Sequence, residues 1–486
     1  MRERTSPSSS TPPCPRDGRV GSALAESALA RHTPLTDLAG FHPWFAQLRA
    51  DCYTETQQLP LDELAGWRTD ADTGDLQHDS GRFFSVRGLD VEVADGPVPR
   101  WQQPIIYQPE VGILGLLVRR FDGVLHCLMQ AKVEPGNQNG LQLSPTVQAT
   151  RSNYTGVHRG RAVPYLEFFR GSGRTRLITD VRQSEQGSWF YQKRNRNMVV
   201  ETTDDVPAAA GFCWLTLGQL HQLLQVEDLV NMDTRTVLSC LPWPGEELAS
   251  RLPDADDFQA SLLRSCSAAA GAVHALDEIL NWITEIRSSA EVRTTPVPLR
   301  SLAGWQRQDG VIHHETGAFF DVIGVQVQAG GREVRQWSQP MIRPKDTGVI
   351  AFLASRIDGI LHVLARCQVQ PGCLDVAEVG PTVRCTPANW EHLPTGPPAF
   401  LKEVLGADPA QIRYDVLLSE EGGRFYRAVN RYVIVEVDAA RTPEHPEFRW
   451  LALHQLADLL RHSHYVNVEA RSLVACLRSL LGSDNP

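Results

Sequence analysis

The chain of 486 residues lacks most of the features that announce a function directly. No apolar run approaches the roughly 20 residues that cross a bilayer, so no membrane association is expected. Basic residues are too few for a nucleic-acid surface. The 47 lysines and arginines stand against 57 acids, a net charge of −10, whereas sequence-independent binding needs cations that displace counterions from phosphates. A small anion held by a few local arginines remains compatible with that balance. The ten cysteines are scattered singly, without one CxxC pair, which speaks against zinc ribbons and thioredoxin-type sites. The opening MRERTSPSSSTPPCPRDG has charge but no apolar stretch behind it. A secretory signal is therefore not expected, and the cytoplasm, with reduced thiols, is the default location. Also missing are a GxGxxG between strand and helix, GxxxxGK[ST], GxSxG and HExxH. An NAD- or ATP-dependent activity is unsupported, and neither cofactor nor metal is expected.

What is present is an internal repeat. LAGW at Leu64–Trp67 recurs at Leu302–Trp305, and Gly81, Phe83 and Phe84 recur as Gly317, Phe319 and Phe320. WQQP at Trp101–Pro104 returns as WSQP at Trp337–Pro340, FDGVLH at Phe121–His126 as IDGILH at Ile357–His362, and PTVQAT at Pro145–Thr150 as PTVRCT at Pro381–Thr386. The spacing is 238 residues at LAGW and 236 from Gly81 onward, dropping to 235 between Ser184-Glu185 and Ser419-Glu420 and returning to 236 at Val230-Asn231 and Val466-Asn467. A unit of this length, roughly 200 residues, is too long for a solenoid repeat and reads as a domain. The expected division is a disordered Ser/Pro/Arg-rich tail over residues 1–34, a first unit over 35–242, a linker with a helix over 243–287 and a second unit over 288–486. The linker helix is expected at about Ala268–Ile286 from the spacing of Val273, Leu276, Leu280 and Ile283. Asp122-Gly123 and Asp358-Gly359 each sit between short apolar runs, a hairpin signal. Helical spacing is read at Trp214–Leu224 and Trp450–Leu460. The fold class is α+β: two tandem duplicated domains, each a mixed sheet packed with helices.

Two polar clusters carry candidate chemistry. Gln130, Lys132 and Glu134 alternate onto one strand face. After Pro135-Gly136 the chain returns with Gln142, Ser144, Thr146 and Gln148 at the same period. A solvated sheet face is the plain alternative, but amides and hydroxyls in place of a Lys/Glu/Arg mixture suit hydrogen bonding to a ligand. In the second unit Gln368 and Gln370 replace Lys132 and Glu134. The second cluster, Trp189 to Arg196, is matched by Arg424-Phe-Tyr426 and Asn430-Arg431. A basic, aromatic-flanked loop suits phosphates and ring stacking, against the alternative of a surface basic patch.

The duplicated WxQP, the segment Glu134–Tyr154 (EPGNQNGLQLSPTVQATRSNY) and the Phe190–Asn197 segment (FYQKRNRN) resemble the NDP-hexose 2,3-dehydratases of deoxysugar biosynthesis. The resemblance runs from about Gly40 to Leu480. It implies two Nudix-like domains per subunit and a homodimer. The carboxylate helix of Nudix hydrolases is missing from both units; Glu246-Glu247 and Glu420-Glu421 lack its context, so magnesium-dependent pyrophosphate hydrolysis is not expected. The implied substrate is dTDP-4-keto-6-deoxy-glucose. The implied reaction loses the 2-hydroxyl as water to give a 3,4-diketo-2,6-dideoxy sugar for antibiotic pathways, which a 3-ketoreductase would consume. The carbon-3 hydrogen is acidic beside the 4-ketone, so placed acid–base groups suffice.

On this reading Glu134 is the base or the acid, as the carboxylate of its strand face, and Lys132 stabilises the enolate. Tyr191, Lys193, Arg194, Asn195 and Arg196 hold the diphosphate, Trp101 stacks on thymine, and Gln142, Thr146 and Gln148 bond the sugar. A second pocket of Trp337, Thr382, Arg424, Tyr426, Asn430 and Arg431 would bind without reacting, although Glu378 leaves a carboxylate near it. A non-catalytic nucleotide-sugar binder and a Nudix-type pyrophosphatase are the alternatives.

Overall fold

The computed structural model describes residues 18–52, 54–94, 96, 98–150, 162–171, 173, 175–252, 255–329 and 336–481. Each half opens with two helices, Gly18–Leu29 and Leu38–Asp51 in the first, Asp257–Ser265 and Leu276–Ser289 in the second. Each then builds a seven-stranded mixed sheet. In the first half its path runs Thr175–Ser184, Arg194–Thr202, Gly112–Phe121, Val124–Val133, Phe212–Thr216, with two short strands, Leu141–Ser144 and Val147–Ala149, paired off the path. The second half repeats this order. The central hairpins turn on Asp122-Gly123 (φ 48° and 88°) and Asp358-Gly359 (φ 51° and 73°). Two successive left-handed residues make the tight turn whose twist matches the flanking strands. No helix among the described residues is long and apolar enough to cross a membrane.

The halves are not self-contained domains. The first half's strand Thr54–Leu59 pairs antiparallel with Phe320–Ala329 of the second, Thr54 opposite Ala329. Its repeat partner Val292–Val297 pairs with Ser85–Val93 of the first, Val292 opposite Val93. Each half thus lends an edge strand to the other's smaller sheet. One apolar core, from Leu24 and Phe41 through Leu215 and Leu220 to Leu361, Leu451 and Leu477, runs through both halves.

Three boundaries differ from the sequence expectations. Within 1–34, residues 1–17 lie outside the described residues, but Gly18–Leu29 is a helix, not disordered. Its Ala23, Leu24, Ala25 and Ala28 are buried, and Ser27 donates to the Leu125 carbonyl while accepting from the Leu217 amide. Averaging over the Pro- and Ser-rich stretch hides this small apolar stripe. The linker helix begins at Leu276, because the Glu278 carboxylate accepts from the Ala275 amide and fixes the start there. Trp214 and Leu215 belong to a strand. The helix after it starts at Leu217, set by a capping box between Thr216 and Gln219.

The Pro-Gly turn after Glu134 docks on the opposite half. Gly136 donates its amide to the Gly422 carbonyl at 2.7 Å, and Gly372 does the same to Gly187 at 2.7 Å. A Cβ on Gly136 would lie 1.8 Å from the Phe425 carbonyl oxygen. Because that neighbour is backbone, the obstruction cannot rotate away. Gly136→Ala is expected to lower thermal stability by at least the ~1–3 kcal/mol typical of overpacking. Thermal denaturation checks this, and a cost well under about 1 kcal/mol would mean the docked turn retreats freely.

Candidate active site

Between the halves lies a cavity of about 260 Å³. Its floor comes from the first half's large sheet. Lys132 is the last residue but one of the strand Val124–Val133 and Glu134 follows the strand, while Gln148 lies on Val147–Ala149. Glu185 follows the strand Thr175–Ser184, with Lys193 and Asn195 at the start of the strand beside it. Asp233 stands in the first turn of the helix Met232–Ser239, whose N-cap Asn231 accepts from the Thr234 amide at 2.9 Å. Trp67, His78, Phe83 and Phe84 form an aromatic wall. The second half closes the cavity with Trp337, Gln339, Glu421 and Arg424.

Hydrogen bonds hold these groups in place. The Gln148 amide donates to Glu134 Oε1 at 2.8 Å, and its oxygen accepts from Asn231 at 3.1 Å. Lys132 Nζ donates to the Gln148 carbonyl at 3.0 Å. Asn195 donates to Glu185 Oε1 at 2.6 Å and accepts from the Gly112 amide, while Lys193 donates to the Glu110 carbonyl at 2.5 Å. The Arg424 guanidinium lies over the Phe84 ring, 4.1 Å from its centre. Glu185 Oε2, Asp233 Oδ1 and Glu421 Oε2 are buried with no hydrogen-bond partner among the described residues.

Four carboxyls and two lysines in so small a volume perturb one another. Burial, then the neighbouring carboxylates of Glu185, Glu134 and Glu421, holds the Asp233 carboxyl well above the usual range. Burial raises Glu185 as well, against the pull of Arg471 and Lys193. Burial and Glu134 push Glu421 up to about 7. Burial brings Lys193 down to about 8, opposed by Glu185. The arrangement supplies proton donors near neutrality beside cations that can meet developing negative charge.

Of the residues singled out in the sequence, Lys132, Glu134, Gln148, Lys193 and Asn195 come together here, joined by Trp337 and Arg424 from the expected second pocket. The others are placed elsewhere. Thr146 donates to the Leu128 carbonyl and accepts from the Leu117 amide, a sheet-bridging role that Thr382 repeats with Leu364 and Leu353. Gln142 is buried at the joint, accepting from Ser419 of the other half. Trp101 and Tyr191 pack with Leu89 and Ile105, away from the cavity. Arg196 and Arg431 form two-pronged ion pairs with Asp180 and Asp415 across their strands. Arg194 does not line the cavity, Tyr426 is buried with Ile323 and Met341, and Asn430 bonds Glu420. Glu185, Asp233, Glu421 and the aromatic wall were missed. A usable signal existed for two of them, since Glu185 recurs in the repeat and Asp233 follows the recurring Val-Asn pair.

The matching positions of the second half are tied to one another. Arg384 stands where the first half has Gln148. It donates to Glu469, the counterpart of Asp233, at 2.7 Å and to Ser188 at 2.6 Å. Gln370 accepts from the Gly187 amide at 3.1 Å. Trp189, the counterpart of Arg424, packs against Phe425 with ring centres 4.6 Å apart.

The NDP-hexose 2,3-dehydratase family model matches residues 38–241 and again 276–477. The chain belongs to that family. It is 51% identical over 470 residues to the dTDP-4-dehydro-6-deoxy-alpha-D-glucopyranose 2,3-dehydratase of Saccharopolyspora spinosa, covering 94% of each chain. The enzymes of the same name from Amycolatopsis orientalis and Streptomyces violaceoruber are each 46% identical, over 90% and 92% of this chain and 89% and 98% of their own.

The Glu421 shift makes a prediction for this family member. A carboxyl raised from 4.5 to about 7 binds its proton more tightly in the folded state than in the unfolded chain. Its ionisation therefore removes stability as pH rises from the ordinary carboxylate range through about 7. Glu421→Gln is expected to raise the melting temperature at pH 8 and to change it much less at pH 4.5. Melting curves at the two pH values check this; an equal shift at both would contradict the burial argument.

Proposed function

We propose that the composite cavity binds dTDP-4-keto-6-deoxy-glucose and removes its 2-hydroxyl as water. The carrying observation is the convergence of Glu134, Lys132, Glu185, Asp233 and Glu421 in one cavity, in a chain whose relatives bear that activity in their names. The carbon-3 hydrogen lies alpha to the ketone, and its removal needs a base within reach and a donor for the enolate oxygen. Glu134, oriented by the Gln148 amide, serves as the base, and Lys132 on the same strand end stabilises the enolate. Gln148 and Asn195 offer the sugar hydrogen bonds. Lys193 and Arg424 supply positive charge for the diphosphate, and the aromatic wall with Trp337 supplies faces for the thymine. The step is an elimination with no net change of oxidation state, so residues of the chain suffice for it. The same reading takes each half as Nudix-like, the subunit as one of a cytoplasmic homodimer, and the diketo product as substrate for a 3-ketoreductase.

The test is incubation of the purified protein with the 4-keto sugar, with and without EDTA, followed by mass spectrometry for the loss of one water. Turnover that vanished with EDTA and returned with magnesium would overturn the metal-free elimination. Glu134→Gln is expected to lose at least about 100-fold in turnover, the lower end for a positioned acid–base group, while still binding dTDP. Gln370→Ala in the second half is expected to cost stability, through the Gly187 amide it leaves unpaired, and to leave turnover near the parent value.

A further inference from the structure

The elimination needs a second proton-transfer group. Glu134 takes a proton from carbon 3, and the oxygen leaving carbon 2 must receive one. Asp233 lines the same cavity as Glu134, on a different element, the first turn of a helix. Its Oδ1 is buried and bonds nothing among the described residues. Gln148 joins the two positions physically: its amide nitrogen reaches Glu134 and its oxygen accepts from Asn231, the cap of the helix that carries Asp233.

The duplicated half supplies the comparison. There the carboxylate at the same helix position, Glu469, accepts from Arg384, and Arg384 occupies the strand position of Gln148. A carboxylate that accepts from a guanidinium is engaged by that partner and not turned toward a ligand. The same half has glutamine in place of the base. The two differences go together: the half that keeps Glu134 has an amide bonded to the cap of Asp233's helix, and the half with glutamine there has an arginine bonded to Glu469.

We propose that Asp233 is the general acid of the reaction, giving its proton to the departing 2-hydroxyl. This rests on the dehydratase reading above. The electrons balance without an outside reagent. Glu134 takes the carbon-3 proton, and the C3–H pair becomes the C3=C4 bond of the enolate. Collapse of the enolate forms C2=C3 and breaks C2–O, the bond pair leaving on oxygen. That oxygen takes the Asp233 proton and departs as water, leaving an aspartate, and the enol protonates at carbon 2 to give the 3-ketone. The groups facing Asp233 are Lys132, Glu134, Glu185 and Glu421. Three of them are carboxyls, so ionised Asp233 is readily reprotonated.

The test separates the two proton transfers, using the full-length protein and the 4-keto sugar in deuterated water. Asp233→Asn is expected to lose at least about 100-fold in dehydration while the recovered substrate still gains deuterium at carbon 3. Glu134→Gln is expected to lose both. Near-normal dehydration by a folded Asp233→Asn would overturn the assignment, as would loss of deuterium exchange together with dehydration at an unchanged melting temperature. Should Asp233→Asn not fold, Asp233→Glu keeps a carboxyl and is expected to move the high-pH limb of the kcat profile while leaving the low-pH limb in place. A high-pH limb that stayed put would count against Asp233. If the parent protein does not dehydrate the sugar at all, the dehydratase reading fails and not this assignment alone.

Discussion

Arg235 and Arg471, both fully buried, are the constraint on which the rest of the molecule depends. Each sits on the last helix of its half and reaches across the joint. Arg235 donates to the Val230 carbonyl of its own half, to the Ser419 carbonyl of the other and to Ser472 on the facing helix. Arg471 reproduces this with Val466, Ser184 and Thr236. A buried guanidinium is tolerable only when its donors are met by acceptors, and removing such partners typically costs about 3–5 kcal/mol. The arginines therefore fix where the strand ends at Ser184 and Ser419 lie. The next residue after Ser184 is Glu185. The interaction that locks the halves together thus also places a cavity carboxyl, and the charge of Arg471 counters part of the penalty for burying it.

Symmetry at the joint makes the asymmetry of the two pockets intelligible. The same backbone frame is present twice, so differences between the pockets come from side chains. At the second set of pocket positions Arg384 pairs with the buried carboxylate of Glu469, and Trp189, reaching over from the first half, fills aromatic space, choices that favour stability. At the cavity Glu185 and Asp233 of the first half and Glu421 of the second each keep a buried oxygen without a hydrogen-bond partner among the described residues. Such groups cost free energy in a folded protein. Their concentration around one cavity puts that cost in a single place, and a cost of this kind is typical of functional sites.

Much of this was legible in the sequence. The repeat gave the two-fold organisation, Asp-Gly marked both hairpins, and period-two alternation put Lys132 and Glu134 on a common face with the return strand that carries Gln148. What escaped has a physical explanation. A strand that pairs within its own half and one that pairs with the duplicate see partners of the same pattern, because Ser85–Val93 and Phe320–Ala329 are equivalent in the repeat, with Val86, Gly88 and Val91 recurring as Val322, Gly324 and Val327. Local pattern cannot distinguish exchange from non-exchange. Trp101 and Trp337 illustrate the consequence. They are equivalent by sequence and pack on equivalent strands, Trp101 with Leu89 and Val91 and Trp337 with Val325 and Val327, yet Trp337 also lines the cavity and Trp101 does not. Arg196 and Arg431 read as phosphate ligands, but their cross-strand partners Asp180 and Asp415 lie 16 residues upstream, where strand register alone reveals the pairing.

The exchange also bears on why duplication and activity remain linked. Trp337, Gln339, Glu421 and Arg424 reach the cavity from the second half, so the first half alone would leave it open on one side and without Arg424. An open site would admit water to carboxyls whose shifts depend on burial, and Asp233 and Glu421 would return toward ordinary acidity. On the proposed reading the site of the first half therefore depends on the second, even where the second's own pocket positions have been tied off. Its lent strand, its docked Pro-Gly turn and its loop at Glu421–Arg424 bury the acids of the first half, and burial is what moves carboxyls toward accepting and donating protons near neutral pH.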